Sequence, residues 1–443
     1  MKEVENDTQS EYELTSLGLL PKNWSVVQFS QIADFNLGRT PPRITQEYWD
    51  QGKYPWVSIK DMDTFGRIQK TKEKISSIAL KDIFRNSCVP KGTLLMSFKL
   101  TIGKTSILDI DAVHNEAIIS IFPYDTILKE FLLYYLPTID YSEYFDKAVK
   151  GNTLNKSKIR RILIPLPPLP EQRAIAHLLR TVQEAREKTE AVIEAAKTLK
   201  KSMMQYLFTY GPVPIDEAEQ VPLKETKYGT IPKSWDKIEL KELAYIQTGI
   251  AKGRKIEESE CIELPYLRVA NVQDGYLDLS EMKTIKLRIN EIERFKLRKG
   301  DVVVTEGGDF DKLGRGFIWR DQIRNCVHQN HIFAIRMNNE MIIPEYLAYL
   351  FQSEYGKKYF LEVGHRTTHL ACINKTKLSN FPVILPNNLI QEQIVQILSF
   401  IDKKITAEES RKAALDQLFQ TLLHDLMTAK IRVDHISVPV AET

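Results

Sequence analysis

The chain has 443 residues, of which 43% are hydrophobic and 27% charged, with a formal net charge of +3 at pH 7. This length exceeds what one hydrophobic core usually serves, so we expect two or more domains. No apolar run approaches the roughly 18 residues that span a membrane, and the start is acidic and polar, so we expect no membrane association and a soluble, cytoplasmic protein.

The composition also limits the chemistry of the chain. Four sparse, unpatterned cysteines argue against a disulfide framework and favour reduced thiols; they are Cys88, Cys261, Cys326 and Cys372. A net charge this small does not by itself indicate a nucleic-acid partner.

The sequence repeats itself once, in the same order throughout. The opening GLLPKNW of residues 18–24 returns as GTIPKSW in residues 229–235. Further segments pair in the same way: 54–62 with 264–272, 89–97 with 297–305, 112–122 with 326–336, and 154–168 with 373–387. We therefore predict one structural unit used twice.

Each copy begins with short β-branched and aromatic runs broken by Gly, Pro and Asn, a pattern typical of strands and loops. The end of each copy differs from its beginning, because residues 171–210 and 391–430 contain neither glycine nor proline. We predict a long helix in both places.

Apolar residues in both helices step by three and four, which predicts a heptad seam. The first seam comprises Ile175, Leu178, Val182, Ala185, Thr189, Val192, Ala196, Leu199, Met203 and Tyr206. The second comprises Ile394, Leu398, Ile401, Ile405, Glu408, Lys412, Leu415, Phe419, Leu422 and Leu426. Both seams become polar near the middle, and these points coincide if the helices pair antiparallel.

A two-fold relation between the copies would pair the helices in this way and set the β-rich domains at opposite ends. A helix of this length extends roughly 60 Å, between one and two turns of B-DNA. The helices would then fix the separation of two DNA segments while the DNA between them goes unrecognised.

Both domains carry loops in which cations or amides stand beside small residues, a composition suited to phosphates and base edges. The DNA-binding candidates in the first copy are Arg39, Arg43, Lys60, Lys99, Lys104, Asn152, Asn155, Lys156 and Lys158. Those in the second are Lys252, Arg254, Arg268, Asn271, Arg315, His328, Arg366, Thr367, Lys375 and Lys377. Solvated loops are the alternative interpretation of these segments.

Several catalytic or metal-binding motifs are only partly present. Cys326, His328 and His331 have zinc-like spacing, as do His365, His369 and Cys372, yet the repeat favours a structural or DNA-contacting role because His114 matches His328 without such neighbours. IGKT lacks the first glycine of a Walker A loop. We find no nuclease, S-adenosylmethionine or aminomethyltransferase motif, so we expect no metal and no catalytic residue.

The chain resembles the specificity subunits of Type I restriction-modification systems over nearly its whole length. The resemblance is carried by the GLLPKNW and GTIPKSW openings, the LNKSKIRRILIPLPPLPEQ run, the QYLFTYG exit and the duplicated domain–helix order. The second copy departs from the pattern, with PNNLIQEQ in place of PPLPEQ.

The resemblance implies an α+β protein: two similar mixed α/β target-recognition domains separated by two long antiparallel coiled-coil helices, with a pseudo-two-fold repeat. The corresponding regions are residues 1–165, 166–212, 213–385 and 386–443. It also implies a non-catalytic subunit whose domains each recognise one half of an interrupted site in double-stranded DNA.

The expected protein partners are two modification (methyltransferase) subunits and the restriction (endonuclease and translocase) subunits. The resemblance further implies that S-adenosylmethionine, ATP and magnesium belong to those partners and that this chain holds no cofactor. Outward helix residues available for docking include Arg173, Arg180, Arg186 and Lys200. The alternatives are a coiled-coil scaffold without DNA recognition, or a divergent DNA methyltransferase or nuclease.

Overall fold

A computed structural model describes residues 11–144, 154–253, 261–308, 313–366 and 371–436. The chain forms two compact units: a first unit from Met1–Glu190 together with Ser410–Thr443, and a second unit from Ala191–Glu409. Each unit thus combines one β-rich domain with parts of both long helices. In the described ranges, no helix has both the length and the apolar character needed to cross a membrane.

The first unit contains twelve strands and three short helices among its described residues. The strands are β1 (Tyr12–Thr15), β2 (Gly18–Pro21), β3 (Ser25–Gln28), β4 (Ala33–Leu37), β5 (Tyr54–Val57), β6 (Gly66–Ile68), β7 (Glu73–Ile75), β8 (Leu94–Ser97), β9 (Thr105–Leu108), β10 (Val113–His114), β11 (Ile118–Pro123) and β12 (Leu163–Leu166). The helices are α1 (Ser77–Phe84), α2 (Lys129–Tyr135) and α3 (Lys156–Arg161). The first long helix, α4 (Leu169–Tyr210), follows and continues into the second unit.

The second unit repeats most of these elements in the same order and has additional short strands and helices. Its strands are β13 (Leu223–Thr226), β14 (Gly229–Pro232), β15 (Asp236–Glu239), β16 (Ala244–Thr248), β17 (Cys261–Leu267), β18 (Lys283–Arg288), β19 (Val302–Thr305), β20 (Gly307–Gly308), β21 (Gly316–Ile318), β22 (Val327–His328), β23 (Ile332–Met337), β24 (His365–Arg366), β25 (Ala371–Cys372) and β26 (Pro382–Leu385). The helices are α5 (Leu240–Leu243), α6 (Ile292–Phe295), α7 (Pro344–Gln352), α8 (Glu354–Val363), α9 (Lys375–Ser379) and the second long helix, α10 (Asn388–Met427).

The sheets of the two units have matching topology, which confirms the predicted duplication. The main sheet has the order β4-β11-β8-β9-β6 in the first unit and β16-β23-β19-β21 in the second. The smaller sheets β10-β5-β7 and β22-β17-β18 also match, each with one parallel and one antiparallel pairing. The hairpins β1-β2 and β13-β14, and the pairs β3-β12 and β15-β26, also correspond. Among the described residues, β6 of the first main sheet and the sheet β20-β25-β24 of the second unit have no counterpart.

The repeated openings form the same structure in both units. Gly18 and Gly229 lie at the hairpin turns with φ of +101° and +146°, values that side chains with a Cβ rarely adopt. The tryptophan that follows, Trp24 or Trp235, is 2% exposed and packs into the main core of its unit. The motif therefore directs a large apolar side chain inward immediately after a tight turn.

Within each unit the two long helices pack antiparallel, as predicted. In the first unit Arg186 forms an ion pair with Asp416 at 2.6 Å, and Glu190 pairs with Lys412. In the second unit Lys200 pairs with Asp402 at 2.6 Å. Residue numbers rise along one helix as they fall along the other, so the start of α4 lies beside the end of α10.

These ion pairs correct the expectation that Arg186 and Lys200 face outward for a partner. Arg186 also lies over the Phe419 ring at 4.9 Å, and Lys200 is 17% exposed. Both cations belong to the contact between the helices, whereas Arg180 is 58% exposed and forms an ion pair along its own helix, with Glu184.

The predicted seam holds in α10 but drifts in α4. In α10, Ile394, Leu398, Ile401, Ile405, Phe419 and Leu426 are buried, and Leu415 and Leu422 are half-buried. In α4, Ile175 is buried, and Leu178, Val182, Ala185 and Met203 are half-buried.

Val192 and Leu199 were predicted wrongly, because they are 41% and 52% exposed while Ile193, Met204 and Leu207 are buried. A straight helix turns once every 3.6 residues, so a strict stripe with a 3.5-residue period drifts around its surface.

A glutamine fastens the start of each long helix to its domain. The Gln172 side chain accepts a hydrogen bond from the Leu128 N–H and donates to the Thr126 and Pro167 carbonyls. Gln391 does the same with the Ile343 N–H and the Met341 and Pro386 carbonyls. The divergent PNNLIQEQ segment therefore keeps this anchor, with Gln391 in the place of Gln172.

The first unit has an additional buried network that joins distant parts of the chain. The Glu171 carboxylate, 1% exposed, accepts from the Trp24 indole N–H at 2.8 Å and from the Arg432 guanidinium at 2.7 and 3.0 Å. In the second unit Ile390 precedes the anchoring glutamine, at the position of Glu171. The network ties the opening motif, the start of α4 and the segment after α10 together.

We expect Arg432→Met to lower the free energy of unfolding by about 3 kcal/mol, because it leaves a buried carboxylate without its counter-ion. The control is Arg67→Met, which breaks the Arg67–Asp109 pair, whose arginine is 57% exposed, and should cost less than about 1 kcal/mol. Urea unfolding followed by circular dichroism measures both. Equal losses in the two variants would contradict a stabilising role for the network.

Candidate nucleic-acid interface

The same backbone arrangement follows the first strand of the main sheet in both units. After β4, the Arg39 N–H donates to the His114 carbonyl at 2.8 Å, and after β16 the Ile250 N–H donates to the His328 carbonyl at 2.9 Å. The preceding glycines allow this approach, because a Cβ on Gly38 or Gly249 would lie 2.1 Å from a carbonyl oxygen of the opposing segment. The two units thus share one backbone frame, but Arg39 is exposed on it whereas Ile250 is 2% exposed and packs in a hydrophobic core.

The histidines of this frame belong to the interior. His114 is 2% exposed and His328 0% exposed, and desolvation lowers the pKa of each imidazole to about 4. His328 Nδ1 lies 3.2 Å from the Phe295 carbonyl oxygen. A neutral, enclosed ring cannot contact a phosphate, so the prediction of His328 as a DNA-binding residue was wrong.

In the first unit a solvent-open cleft with a volume of about 540 Å³ lies beside this frame. Three cations line it: Arg39, Arg85 and Lys156. The Arg39 guanidinium donates to the Ile83 carbonyl at 2.6 Å, which orients it at the end of α1. Among the described residues no carboxylate lines the cleft, so it suits an anionic ligand.

Arg43, another candidate, is already engaged within the first unit. Its guanidinium forms two hydrogen bonds with Glu73, at 2.5 and 2.9 Å, and lies 3.7 Å from the Trp49 ring centroid. Hydrogen bonding to Glu73 raises the pKa of Arg43 and lowers that of the carboxylate. Recognition of a guanine by Arg43 would require breaking this pair.

The remaining candidates of the first unit differ in exposure. Lys60 and Lys156 are exposed, and Lys104 is half-buried. Lys99 is also half-buried, with its Nζ 5.4 Å from the Phe98 ring centroid. Asn155 caps α3 by accepting from the Lys158 N–H at 3.0 Å, and Lys158 is half-buried. Asn152 lies outside the described residues.

In the second unit Arg268 and Asn271 organise a loop. Asn271 is 3% exposed and its amide donates to the Asp278 and Glu281 carbonyls, while the Arg268 guanidinium also donates to Glu281. Burial removes Asn271 from the surface, so its prediction as a DNA-contacting residue was wrong.

The other candidate cations of the second unit differ in exposure. Lys252 is exposed, and so is Lys375, whose Nζ lies 5.4 Å from the Tyr245 ring centroid. The Lys377 ammonium donates to the Val363 carbonyl, and Arg315 is half-buried with contacts of 3.4 and 3.5 Å to Val269 and Gln273. Arg254 and Thr367 lie outside the described residues, and Arg366 is described only as backbone of β24.

The zinc-like spacings form no metal site among the described residues, where no group of three His, Cys, Asp or Glu side chains could hold an ion. Cys326 is 1% exposed, and burial raises the pKa of its thiol to about 12. His331 instead contacts Glu306 at 2.6 Å. His369 lies outside the described residues.

Comparison with known proteins relates this duplicated fold to one family. Residues 21–196 and 232–417 each match the family model described as the Type I restriction modification DNA specificity domain. The chain belongs to this family of specificity subunits. The two matches cover both β-rich domains and large parts of both long helices.

Whole-length relatives agree with this assignment. The specificity subunit is 22% identical over 437 residues to the MjaIX specificity subunit of Methanocaldococcus jannaschii, covering 97% of this chain and 98% of that protein. It is 25% identical over 437 residues to the MjaVIII specificity subunit of the same organism, covering 94% and 95%. These relatives do not favour a scaffold or a methyltransferase.

A solved structure shares the fold. The S subunit of a Type I restriction-modification system from M. genitalium superimposes with a TM-score of 0.55 at 15% identity, covering 91% of this chain and 96% of that one. The α+β fold with two target-recognition domains and long helices, expected from the resemblance, is confirmed.

We expect the two buried histidines to lower the free energy of unfolding as the pH falls. A pKa of about 4 in the folded state, below the ordinary 6.5, means that the unfolded chain binds more protons between these values. The contribution of each histidine to the free energy of unfolding is fully present above pH 6.5 and is lost as the pH falls towards 4. At pH 5 each histidine should cost about 2 kcal/mol relative to pH 7.5.

His328→Gln should remove one of these two contributions, whereas His177→Gln, on the exposed surface of α4, should remove none. Urea unfolding at pH 7.5 and pH 5 measures the difference. An unchanged loss between the two pH values in His328→Gln would rule out the buried neutral histidine as its cause.

Proposed function

We propose that this specificity subunit recognises an interrupted site in double-stranded DNA, with each unit contacting one half of the site. The observation that carries the proposal is the pair of equivalent frames with unlike side chains. On this frame Asn36 and Arg39 are exposed in the first unit, whereas the corresponding Gln247 and Ile250 are buried in the second. Equivalent domains that expose different side chains on one frame suit two different base sequences.

A retained lysine supports a common mode of DNA contact. Lys156 at the start of α3 and Lys375 at the start of α9 follow capping asparagines, Asn155 and Asn374, and both lysines are exposed. Phosphate contacts carry no sequence information, so both domains can keep the same cation while the base contacts differ. Binding should therefore weaken as the salt concentration rises.

The proposed complex also contains two modification subunits, and restriction subunits join it. In this proposal the chain is non-catalytic and works in the cytoplasm. S-adenosylmethionine, ATP and magnesium bind to the partner subunits, where catalysis takes place. The chain supplies DNA recognition and a helical surface, including the exposed Arg180, on which the modification subunits dock.

We expect the complex of this chain with its modification subunits to methylate adenines in one interrupted sequence only. Mapping of methylated adenines in host DNA, with and without this gene, identifies that sequence. Loss of the gene should remove methylation from every copy of the site, because recognition resides in this chain. Unchanged methylation would contradict the proposed function.

The antiparallel helices should determine the spacer between the two halves of the site. Removal of residues 186–192 from α4 and of the opposing residues 410–416 from α10 shortens each helix by about 10 Å, close to three base pairs of B-DNA. We expect the methylated site to lose about three base pairs of spacer and to keep both half-sequences. The matched control exchanges seven exposed residues of the helices without deletion. An unchanged spacer in the shortened variant would contradict the proposal that helix length determines the spacer.

A further inference from the structure

The end of helix α1 in the first unit has an unusual residue at its terminating position. The Arg85 N–H donates to the Lys81 carbonyl and the Asn86 N–H donates to the Leu80 carbonyl, at 3.1 and 3.0 Å. The bond from Arg85 to Lys81 is the 5→1 bond of an αL motif, in which the position taken by Arg85 is usually glycine. Arg85 has φ of 55° and ψ of 38°, a left-handed conformation that is unfavourable for a residue with a Cβ.

The helix itself does not account for an arginine at this point. A cation favours the negative end of a helix dipole, but Lys81 in the last turn already supplies one. Arg85 is exposed, and within the described ranges no carboxylate forms an ion pair with it. Within the described ranges, no ion pair of the Arg85 side chain therefore offsets the cost of its left-handed backbone.

The cleft of the candidate interface gives this arginine a role. Its side chain lines the cleft together with Arg39 and Lys156, where no carboxylate contributes to the lining. Arg39 is oriented by the Ile83 carbonyl in the last turn of the same helix. The end of α1 thus brings two guanidinium groups to one side of a cleft whose frame is shared with the other unit.

We propose that Arg85 binds a backbone phosphate of the DNA held by the first unit, and that the left-handed helix end is retained to place it there. The inference rests on the proposed function and adds a contact residue to it. The group that Arg85 binds is a phosphate, and we assign this phosphate to duplex DNA.

The test uses the full chain assembled with its modification subunits. The probes are a duplex containing the mapped methylation site and a duplex of equal length without it. The variant is Arg85→Gly, and the matched control is Gln51→Gly, another exposed residue of the first unit with a left-handed φ of 51°. Both changes relieve the same backbone strain, but only the first removes a cation.

We expect both variants to raise the Tm, by roughly 2 °C. Only Arg85→Gly should weaken binding of both duplexes about fivefold, and it should reduce the slope of log K against log salt by about 1. Stabilisation combined with weaker binding would separate a ligand contact from a structural role.

Three results would overturn the inference. DNA affinity and salt slope could remain unchanged in Arg85→Gly while the unaltered complex binds its site. The Tm could fall in Arg85→Gly alone, with DNA binding unchanged, which would assign the arginine to the helix dipole. Inorganic phosphate could raise the Tm of the unaltered chain, but not of Arg85→Gly, with DNA affinity the same in both, which would assign the cleft to a free anion.

Failure of the proposed function has a different signature. In that case the unaltered complex distinguishes neither duplex and methylates no interrupted site, whatever residue stands at position 85. The inference about Arg85 is decided only by the comparison of the variants with a complex that binds.

Discussion

The pairing of the start of one long helix with the end of the other is the constraint on which each unit depends. Burial of Ile175 and Leu179 beside Phe419 and Leu426 places both helices in the core of the first unit, and Met204 and Leu207 join Ile394 and Leu398 in the core of the second. The glutamine anchors, Gln172 and Gln391, then fix each helix to its own domain through three hydrogen bonds. Neither helix could change its position without uncovering a core and leaving buried carbonyl and amide groups unpaired.

Duplication has preserved the parts that hold the frame and has changed those at its surface. The buried histidines and the close-packed glycines occur in both units, because an enclosed position tolerates few alternatives. The exposed capping asparagines also occur in both, because each accepts a backbone N–H at the start of its helix. The residues beside this frame differ, since the exposed Arg39 of the first unit corresponds to the buried Ile250 of the second. One contact between a long helix and its domain differs in the type of interaction. In the first unit Phe419 packs on the rings of Phe65 and Tyr134. In the second unit Lys200 forms an ion pair with Asp402 and lies near the ring of Tyr349.

The repeat, the strand-rich domains and the long helices could all be predicted from sequence, because they follow from segment order, residue type and the absence of helix breakers. The residue-level site could not, because burial depends on tertiary contacts that spacing does not reveal. His328 and Asn271 have the side chains of DNA-binding residues, yet both are enclosed. Arg85 escaped notice for the opposite reason: a helix end with a left-handed arginine has no sequence signature comparable to glycine. The seam in α4 failed at Val192 and Leu199 because a heptad template assumes a supercoil.

The composition of the first unit has a consequence for the order in which the protein forms during translation. Its core includes Phe419 and Leu426, and its buried carboxylate is neutralised by Arg432, whereas its β-rich domain is synthesised first. Residues 191–409 can complete their own unit while the last part of the chain is still inside the ribosome. The amino-terminal domain, although it emerges earliest, therefore becomes complete last, and a premature stop codon after residue 409 would remove one half of DNA recognition while sparing the core of the other.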